Sequence, residues 1–262
     1  MKRKFHPRWV LTVLCTVLFF YGFYLGGVQL VISEVSRTYG QNAAGMGGLI
    51  AAQHIAAVVL LVALGVLADR IGKKPVLFIF AAIFALGCFL AGLSQSLGVY
   101  VIGAVCVGAG YSVCESVSSA VLSELDDEKG ARYINLSQAM LSLGAVISPF
   151  LVQWMQKSRH ASWRLPFLIC AAAYTLLALL LLMTAFPKRQ SIAHERPRTR
   201  TNFFASRAFR LLFFSILLYV GLENGISYFA ESLFSVRLSA GDLAAAAISA
   251  YWIGMTVSRM LF

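Results

Sequence analysis

Long apolar stretches alternate with short polar ones along the whole chain. A hydrocarbon core of about 30 Å is crossed by roughly 20 apolar residues in a helix, and stretches of that length recur at regular intervals. The pattern therefore predicts eight membrane-spanning helices. Their expected bounds are Trp9 to Ile32, Ala44 to Ala68, Pro75 to Ser94, Leu97 to Leu122, Ile134 to Gln156, Trp163 to Phe186, Arg210 to Phe234 and Leu243 to Phe262.

The composition supports a membrane protein whose partner is the lipid bilayer. Of the 262 residues, 59% are hydrophobic and 13% are charged, so most of the chain cannot form a water-soluble surface. The basic start of the first stretch is typical of a signal peptide. That stretch is too long for a signal peptide and has no clear small-residue cleavage site, so we expect it to be retained as a helix.

The net charge of +11 predicts topology rather than binding to nucleic acid, because the basic residues gather in alternate loops and in both ends. By the positive-inside rule, these loops and both termini are expected to be cytoplasmic. The short opposite loop with Lys157, Arg159 and Arg164 does not follow this trend. The basic residues on the predicted cytoplasmic side are Lys2, Arg3, Lys4, Arg8, Arg70, Lys73, Lys74, Lys129, Arg132, the run from Lys188 to Arg210, and Arg259.

One long polar stretch, Pro187 to Asn202, follows the sixth apolar stretch, and we interpret it as a linker between two halves. The expected domains are a six-helix half at 1–186, a basic cytoplasmic linker at 187–208 and a partial second half at 209–262. The five cysteines all lie in apolar stretches without metal-site spacing, and no motif of a membrane enzyme appears. We expect no metal, no cofactor and no enzymatic activity.

The turn from Gly65 to Pro75 reads Gly-Val-Leu-Ala-Asp-Arg-Ile-Gly-Lys-Lys-Pro and lies between two apolar stretches. It resembles the signature Gly-x-Leu-Ala-Asp-Arg-x-Gly-Arg/Lys-Lys of the major facilitator superfamily (MFS) of secondary transporters. The resemblance implies an all-α integral membrane protein with the MFS fold. It also implies a gating motif in which Asp69 helps to hold the inward gate shut; a basic turn that only sets topology is the alternative. The gating residues are Gly65, Asp69, Arg70, Gly72 and Lys73.

Glu115 lies inside the apolar fourth stretch. An ionisable group in the bilayer core is costly and usually faces a cavity or partner on a substrate or proton path. A protonated glutamic acid bonded between helices is the alternative. Amides and one imidazole also lie in apolar surroundings, where they line a midplane cavity or join helices. These residues are Gln29, Gln53, His54, Asn135, Gln138 and Asn224.

The seventh and eighth apolar stretches resemble one particular branch of the superfamily. Tyr-Val-Gly-x-Glu ending at Glu223, and Tyr-Trp-x-Gly-Met-Thr-x-x-Arg ending at Arg259, are similar to the fucose permease and sugar-transporter branch. This similarity implies that Glu115 is the proton-coupling acid. Two departures are a first stretch that lacks the branch's membrane aspartate and Ser258 in place of glycine. The expected substrate-binding residues are Gln29, His54, Asn135, Gln138, Glu223, Asn224 and Tyr228.

The function expected from these features is alternating-access symport of protons with a small polar solute, such as a sugar, in the bacterial inner membrane. A truncated, non-transporting remnant or membrane interaction protein is the second hypothesis. It follows from the family's twelve helices, which imply that this chain is a fragment, that its gene is interrupted or that a second chain supplies the rest. A drug or metabolite efflux antiporter of the same superfamily is the weaker alternative within the transporter class, since Gly144 to Pro149 only loosely resembles an antiporter motif.

Overall fold

The computed structural model describes residues 6–126, 128–159, 162–186 and 206–261, without the side chains at 43, 61–70, 236 and 260–261. This part of the chain contains eight α-helices and no strands, which confirms the predicted all-α class. Most of the expected linker, residues 187–205, lies outside the described residues. The helices are α1 (Pro7–Thr38), α2 (Ala43–Ile71), α3 (Lys73–Leu93), α4 (Leu97–Ser123), α5 (Gly130–Arg159), α6 (Leu165–Met183), α7 (Arg207–Ser232) and α8 (Ala244–Leu261).

Several helices are longer than the apolar stretches that predicted them. Helix α1 begins at Pro7, whose fixed φ suits a first helical turn, and continues to Thr38, beyond the expected end at Ile32. Helix α5 extends at both ends to Gly130 and Arg159. The length of an apolar stretch corresponds to the thickness of the hydrocarbon core. The helix itself is longer, because its backbone hydrogen bonds continue into the polar interface. A π-helical turn (Leu233–Arg237) and a 3-10 turn (Gly241–Leu243) connect α7 with α8.

Within the described residues, six helices are long and apolar enough to cross a membrane by length and composition. Helix α2 contributes a shorter apolar stretch, Ala44–Leu60. Helix α8 has 18 residues, about 27 Å at 1.5 Å per residue. The six long spans are Pro7–Thr38, Lys73–Leu93, Leu97–Ser123, Gly130–Arg159, Leu165–Met183 and Arg207–Ser235.

Helix α1 lies at the centre of the bundle, where it contacts α5, α6, α7 and α8. Its apolar window is 72% buried, whereas that of α7 is 0% buried. Small residues allow the close approach of α1 to α5, because a Cβ on Gly22 would overlap the Leu141 backbone and one on Gly144 would overlap Phe19. Helix α8 packs on α5, where Ser249 Oγ donates to Val146 O at 2.8 Å.

Candidate functional site

Glu115 and Gln138 meet between α4 and α5. Gln138 Nε2 donates a hydrogen bond to Glu115 Oε1 at 3.1 Å, and both residues are half-buried. Glu115 lies in the half of α4 that leads to Ser123, at an estimated depth of about 12 Å from that end. The structure therefore brings together two residues that were predicted separately as members of the site.

Arg259 adds a third helix to this contact. Its Nη1 donates to the Gln138 carbonyl oxygen at 3.2 Å and to Ser142 Oγ at 2.5 Å, which ties α8 to α5. The guanidinium also attracts the Glu115 carboxylate electrostatically. Arg259 belongs to a motif that the sequence showed, but neither Arg259 nor Ser142 was among the expected site residues. The available signal was a single arginine in an otherwise apolar helix.

Glu223 on α7 completes the group that we name the charged cluster, made of Glu115, Gln138, Ser142, Glu223 and Arg259. Glu223 is half-buried and its carboxylate repels that of Glu115 electrostatically. Two carboxylates and one arginine from three helices, α4, α7 and α8, thus interact with one another. In a low-dielectric site, such an arrangement favours the binding of a proton when the arginine moves away from either acid.

Aromatic rings adjoin the charged cluster. Tyr111 lies one turn before Glu115 on α4 and stacks on Tyr21 of α1 with ring centroids 4.5 Å apart. The ring of His54 lies 6.4 Å from Tyr111 and 6.0 Å from Tyr228, both edge-on. We name Tyr21, His54, Tyr111 and Tyr228 the aromatic cluster. His54 and Tyr228 were both expected to contribute to the site, and the structure places them side by side.

Two buried polar atoms beside the aromatic cluster, Gln53 Nε2 and Tyr228 Oη, belong to side chains that interact with each other, but neither atom is in hydrogen-bond geometry with a described residue. Tyr24 Oη donates to Gln53 Oε1 at 2.9 Å, so the other end of the Gln53 amide is held in place. Leaving a buried polar group unpaired costs about 1–3 kcal/mol. A polar molecule that accepts hydrogen bonds from these two atoms would recover that energy.

The remaining expected binding residues lie in other settings. Gln29 Oε1 accepts a hydrogen bond from Trp252 Nε1 at 2.9 Å, in a buried contact between α1 and α8. Asn224 is half-buried and its Nδ2 donates to Val220 O at 2.9 Å in its own helix. Asn135 is exposed on α5, three residues before Gln138.

The turn predicted from Gly65 to Pro75 is wrong in extent, because α2 continues to Ile71 and α3 begins at Lys73, so that only Gly72 lies between the two helices. The backbone of Gly65, Asp69 and Arg70 belongs to α2, but their side chains lie outside the described part. Gly72 has φ +94°, a left-handed conformation that suits glycine. Lys73 Nζ donates to Ala120 O at 3.2 Å and pairs with Glu124 Oε1 at 2.5 Å.

Metal binding finds no support in the described residues, where no group of three or more His, Cys, Asp or Glu could hold an ion. The five cysteines are free thiols, four of them buried. The charged cluster and the aromatic cluster form the candidate site, which offers carboxylates that can bind protons and hydroxyl and amide groups that can form hydrogen bonds with polar molecules.

A sequence model described as Major Facilitator Superfamily matches residues 12–262. The multidrug resistance protein MdtL of Vibrio parahaemolyticus is 28% identical over 149 residues, which are 55% of this chain and 37% of the relative. The inner membrane transport protein YdiN of Escherichia coli K12 is 23% identical over 208 residues, 76% of this chain and 48% of the relative. The matched part of the chain thus spans less than half the length of these two relatives.

Solved structures show the same fold. The fucose:proton symporter FucP of E. coli has a TM-score of 0.72 at 19% identity, over 96% of this chain and 69% of that chain. A D-xylose-proton symporter has a TM-score of 0.70 at 15% identity, over 94% of this chain and 65% of that chain. At these identities the likeness extends to the arrangement of helices and no further.

Proposed function

Since the chain belongs to the major facilitator superfamily of membrane transporters, we propose that it serves proton-coupled symport of a small polar solute, with a sugar as the expected substrate. The observation that carries this proposal is the contact of Glu115 with Gln138, beside Arg259. The protein is an integral membrane protein, and we place it in the bacterial inner membrane with the Lys73 end of the bundle in the cytoplasm, following the positive-inside rule.

Proton binding at Glu115 would be coupled to helix contacts. The ionised carboxylate attracts Arg259, which in turn holds the Gln138 carbonyl and Ser142 of α5. Protonation removes this attraction, and the repulsion from Glu223 as well. The electrostatic attraction between α8 and α4 would therefore be lost when Glu115 binds a proton, so that proton binding biases the two conformations that alternating access requires.

The solute would bind at the aromatic cluster beside the two unpaired donors. Tyrosine rings offer an apolar face and a polar edge, which suits a sugar ring. Gln53 Nε2 and Tyr228 Oη can donate to hydroxyl oxygens of the solute, and His54 Nδ1 already donates to Ile50 O at 2.9 Å, which leaves Nε2 as an acceptor. Tyr111 links this region to Glu115, so solute and proton would bind one helical turn apart.

Efflux is the second candidate function, because the relative named MdtL is a multidrug resistance protein. Symport and antiport move protons in opposite directions relative to the solute. The charged cluster alone fits either direction. The two donors favour a polar solute over a lipophilic drug, which would leave Gln53 Nε2 and Tyr228 Oη without an acceptor.

Proton movement distinguishes the two candidates. Membrane vesicles that contain the protein, without an imposed pH gradient, are mixed with a panel of neutral monosaccharides, and the external pH is recorded. Symport predicts external alkalinisation with at least one sugar, and Glu115→Gln abolishes the signal, whereas Glu128→Gln, in an exposed loop, retains it. Acidification driven by entry of a lipophilic cation, together with silence for every sugar, would support the efflux candidate instead.

A further inference from the structure

An apolar groove runs between α3 and α6 on the outer face of the bundle, away from the candidate site. Its volume is about 340 Å³. Alanines form its floor, with Ala85 and Ala178 buried, while exposed side chains such as Phe89 and Leu179 form its walls. The lining residues are Phe78, Ala82, Ala85, Leu86, Phe89, Thr175, Ala178 and Leu179.

The groove offers no free polar group within its lining. The hydroxyl of Thr175 donates to Ala171 O of its own helix at 2.7 Å, and the other lining side chains are apolar. From Phe78 to Phe89 the groove extends about 16 Å along α3. Half of a hydrocarbon core of about 30 Å is about 15 Å. The groove therefore matches the length of one acyl chain in one leaflet.

A basic residue lies at one end of the groove. Lys74 is one turn before Phe78 on α3, and its Nζ donates to Leu182 O of α6 at 2.8 Å, one turn beyond Leu179. Lys74 thus links the same two helices that form the groove. This bond uses one of the three ammonium donors, which leaves donors for an anionic oxygen. Neighbouring Lys73 is paired with Glu124.

We propose that this groove is a binding site for an anionic phospholipid of the leaflet at the Lys74 end. One acyl chain lies on Ala82, Ala85 and Ala178, and the Lys74 ammonium binds the phosphate. Basic residues between membrane helices on the cytoplasmic side are suited to anionic headgroups. The lipid would join α3 to α6 within the first half, which does not depend on the transport function proposed above.

Native mass spectrometry tests the site on the purified protein in mild detergent, titrated with equimolar phosphatidylglycerol and phosphatidylcholine of identical chains. We expect one retained phosphatidylglycerol, favoured about fivefold over phosphatidylcholine, the contribution of one lysine near the surface. Lys74→Gln should remove this preference, whereas Lys129→Gln, in an exposed loop at the same end, should not. Equal retention of the two lipids by the unmodified protein would mean an annular lipid only and would overturn the proposal.

A second variant tests the groove itself. Ala82→Phe fills the half-buried floor and should lower retention of both lipids at least fivefold, while Ala250→Leu, at an exposed alanine of α8, should leave retention unchanged. Unfolding temperatures of all variants establish that they are folded. If folded Ala82→Phe retains phosphatidylglycerol as the unmodified protein does, the acyl chain does not bind in the groove.

Discussion

Trp252 donates a hydrogen bond from its indole Nε1 to the side-chain oxygen of Gln29, with the two atoms 2.9 Å apart. Both side chains are almost fully buried, at 2% and 1% exposure. The bond joins α8 to α1 and therefore connects the second half of the chain to the centre of the first half. Gln29 was expected to bind substrate, which stays a prediction; its oxygen accepts the indole hydrogen bond in this structure.

Trp252→Phe should destabilise the protein, because it leaves the Gln29 oxygen buried without a donor. The expected cost is about 1–3 kcal/mol from the unpaired group, with a further loss from the smaller ring. Thermal unfolding in detergent measures the effect. Trp154→Phe is the control, because Trp154 is 56% exposed, and it should change the unfolding temperature little. Equal shifts for both variants would show that the indole bond contributes nothing specific.

Gly108→Ala should destabilise the contact of α4 with α2. A Cβ at Gly108 would overlap the carbonyl oxygen of Gln53, whereas a Cβ at Gly98 would meet nothing within 4 Å. Overpacking of this kind costs about 1–3 kcal/mol. Comparison of the unfolding of Gly108→Ala and Gly98→Ala measures the difference, and we expect Gly98→Ala to match the unmodified protein. A neutral Gly108→Ala would contradict the close approach of these helices.

The stabilisation of the folded protein by the ion pair between Lys157 and Asp242 should depend on pH. Lys157 Nζ donates to Asp242 Oδ1 at 2.5 Å, and this hydrogen bond and charge lower the pKa of the exposed Asp242 carboxyl from its ordinary 3.8. A lowered folded-state pKa means that the pair stabilises the protein above pH 3.8 and is lost as the pH falls through the lower value. The pair links the end of α5 to the turn before α8.

Carboxyl NMR of the labelled aspartates measures this pKa directly. Lys157→Met should raise the Asp242 titration midpoint toward 3.8, while Arg132→Met, on the exposed other end of α5, should not. Salt at 1 M should act in the same direction as Lys157→Met, because it shortens the screening length to about 3 Å. An Asp242 midpoint unchanged in Lys157→Met would show that the pair does not form.

The lengths of the apolar stretches were sufficient to predict the eight helices, and the family resemblance implied the all-α class. They could not predict that α1 continues to Thr38, because the residues beyond Ile32 include polar ones that a hydropathy pattern assigns to a loop. Backbone hydrogen bonds form in the polar interface as well as in the hydrocarbon core. The end of a helix is therefore set by its backbone hydrogen bonds, whereas the length of its apolar stretch is set by the thickness of the bilayer.

The candidate site was predictable in its residue types but not in its partners. Glu115 and Gln138 were both recognised as polar groups in apolar surroundings, and they are bonded to each other. Arg259 was missed because its contact with them depends on the packing of α8 against α5, a relationship between segments more than 100 residues apart. Periodicity and motif spacing describe one helix at a time and carry no such information.

Removal of the unpaired donors should weaken solute binding without unfolding the protein. Tyr228→Phe deletes a buried hydroxyl that interacts with the Gln53 side chain but is not in hydrogen-bond geometry with any described residue, so it should change the unfolding temperature little. Binding of whichever sugar elicits proton movement should weaken by about 1–3 kcal/mol, roughly 5- to 150-fold in affinity. Tyr39→Phe is the control, since Tyr39 bonds to Ser94 at the far end of α1. A Tyr228→Phe variant with unchanged affinity would place the solute elsewhere.

The most direct test of the account compares two kinds of transport by Glu115→Gln, with Glu128→Gln as the matched control. Exchange of labelled for unlabelled sugar across vesicle membranes needs no net proton movement, whereas uphill uptake driven by a pH gradient does. The account predicts that Glu115→Gln retains exchange and loses uphill uptake, because Gln keeps the contact with Gln138 but cannot bind and release a proton. Uphill uptake by Glu115→Gln at the rate of the unmodified protein would contradict the proposed role of Glu115.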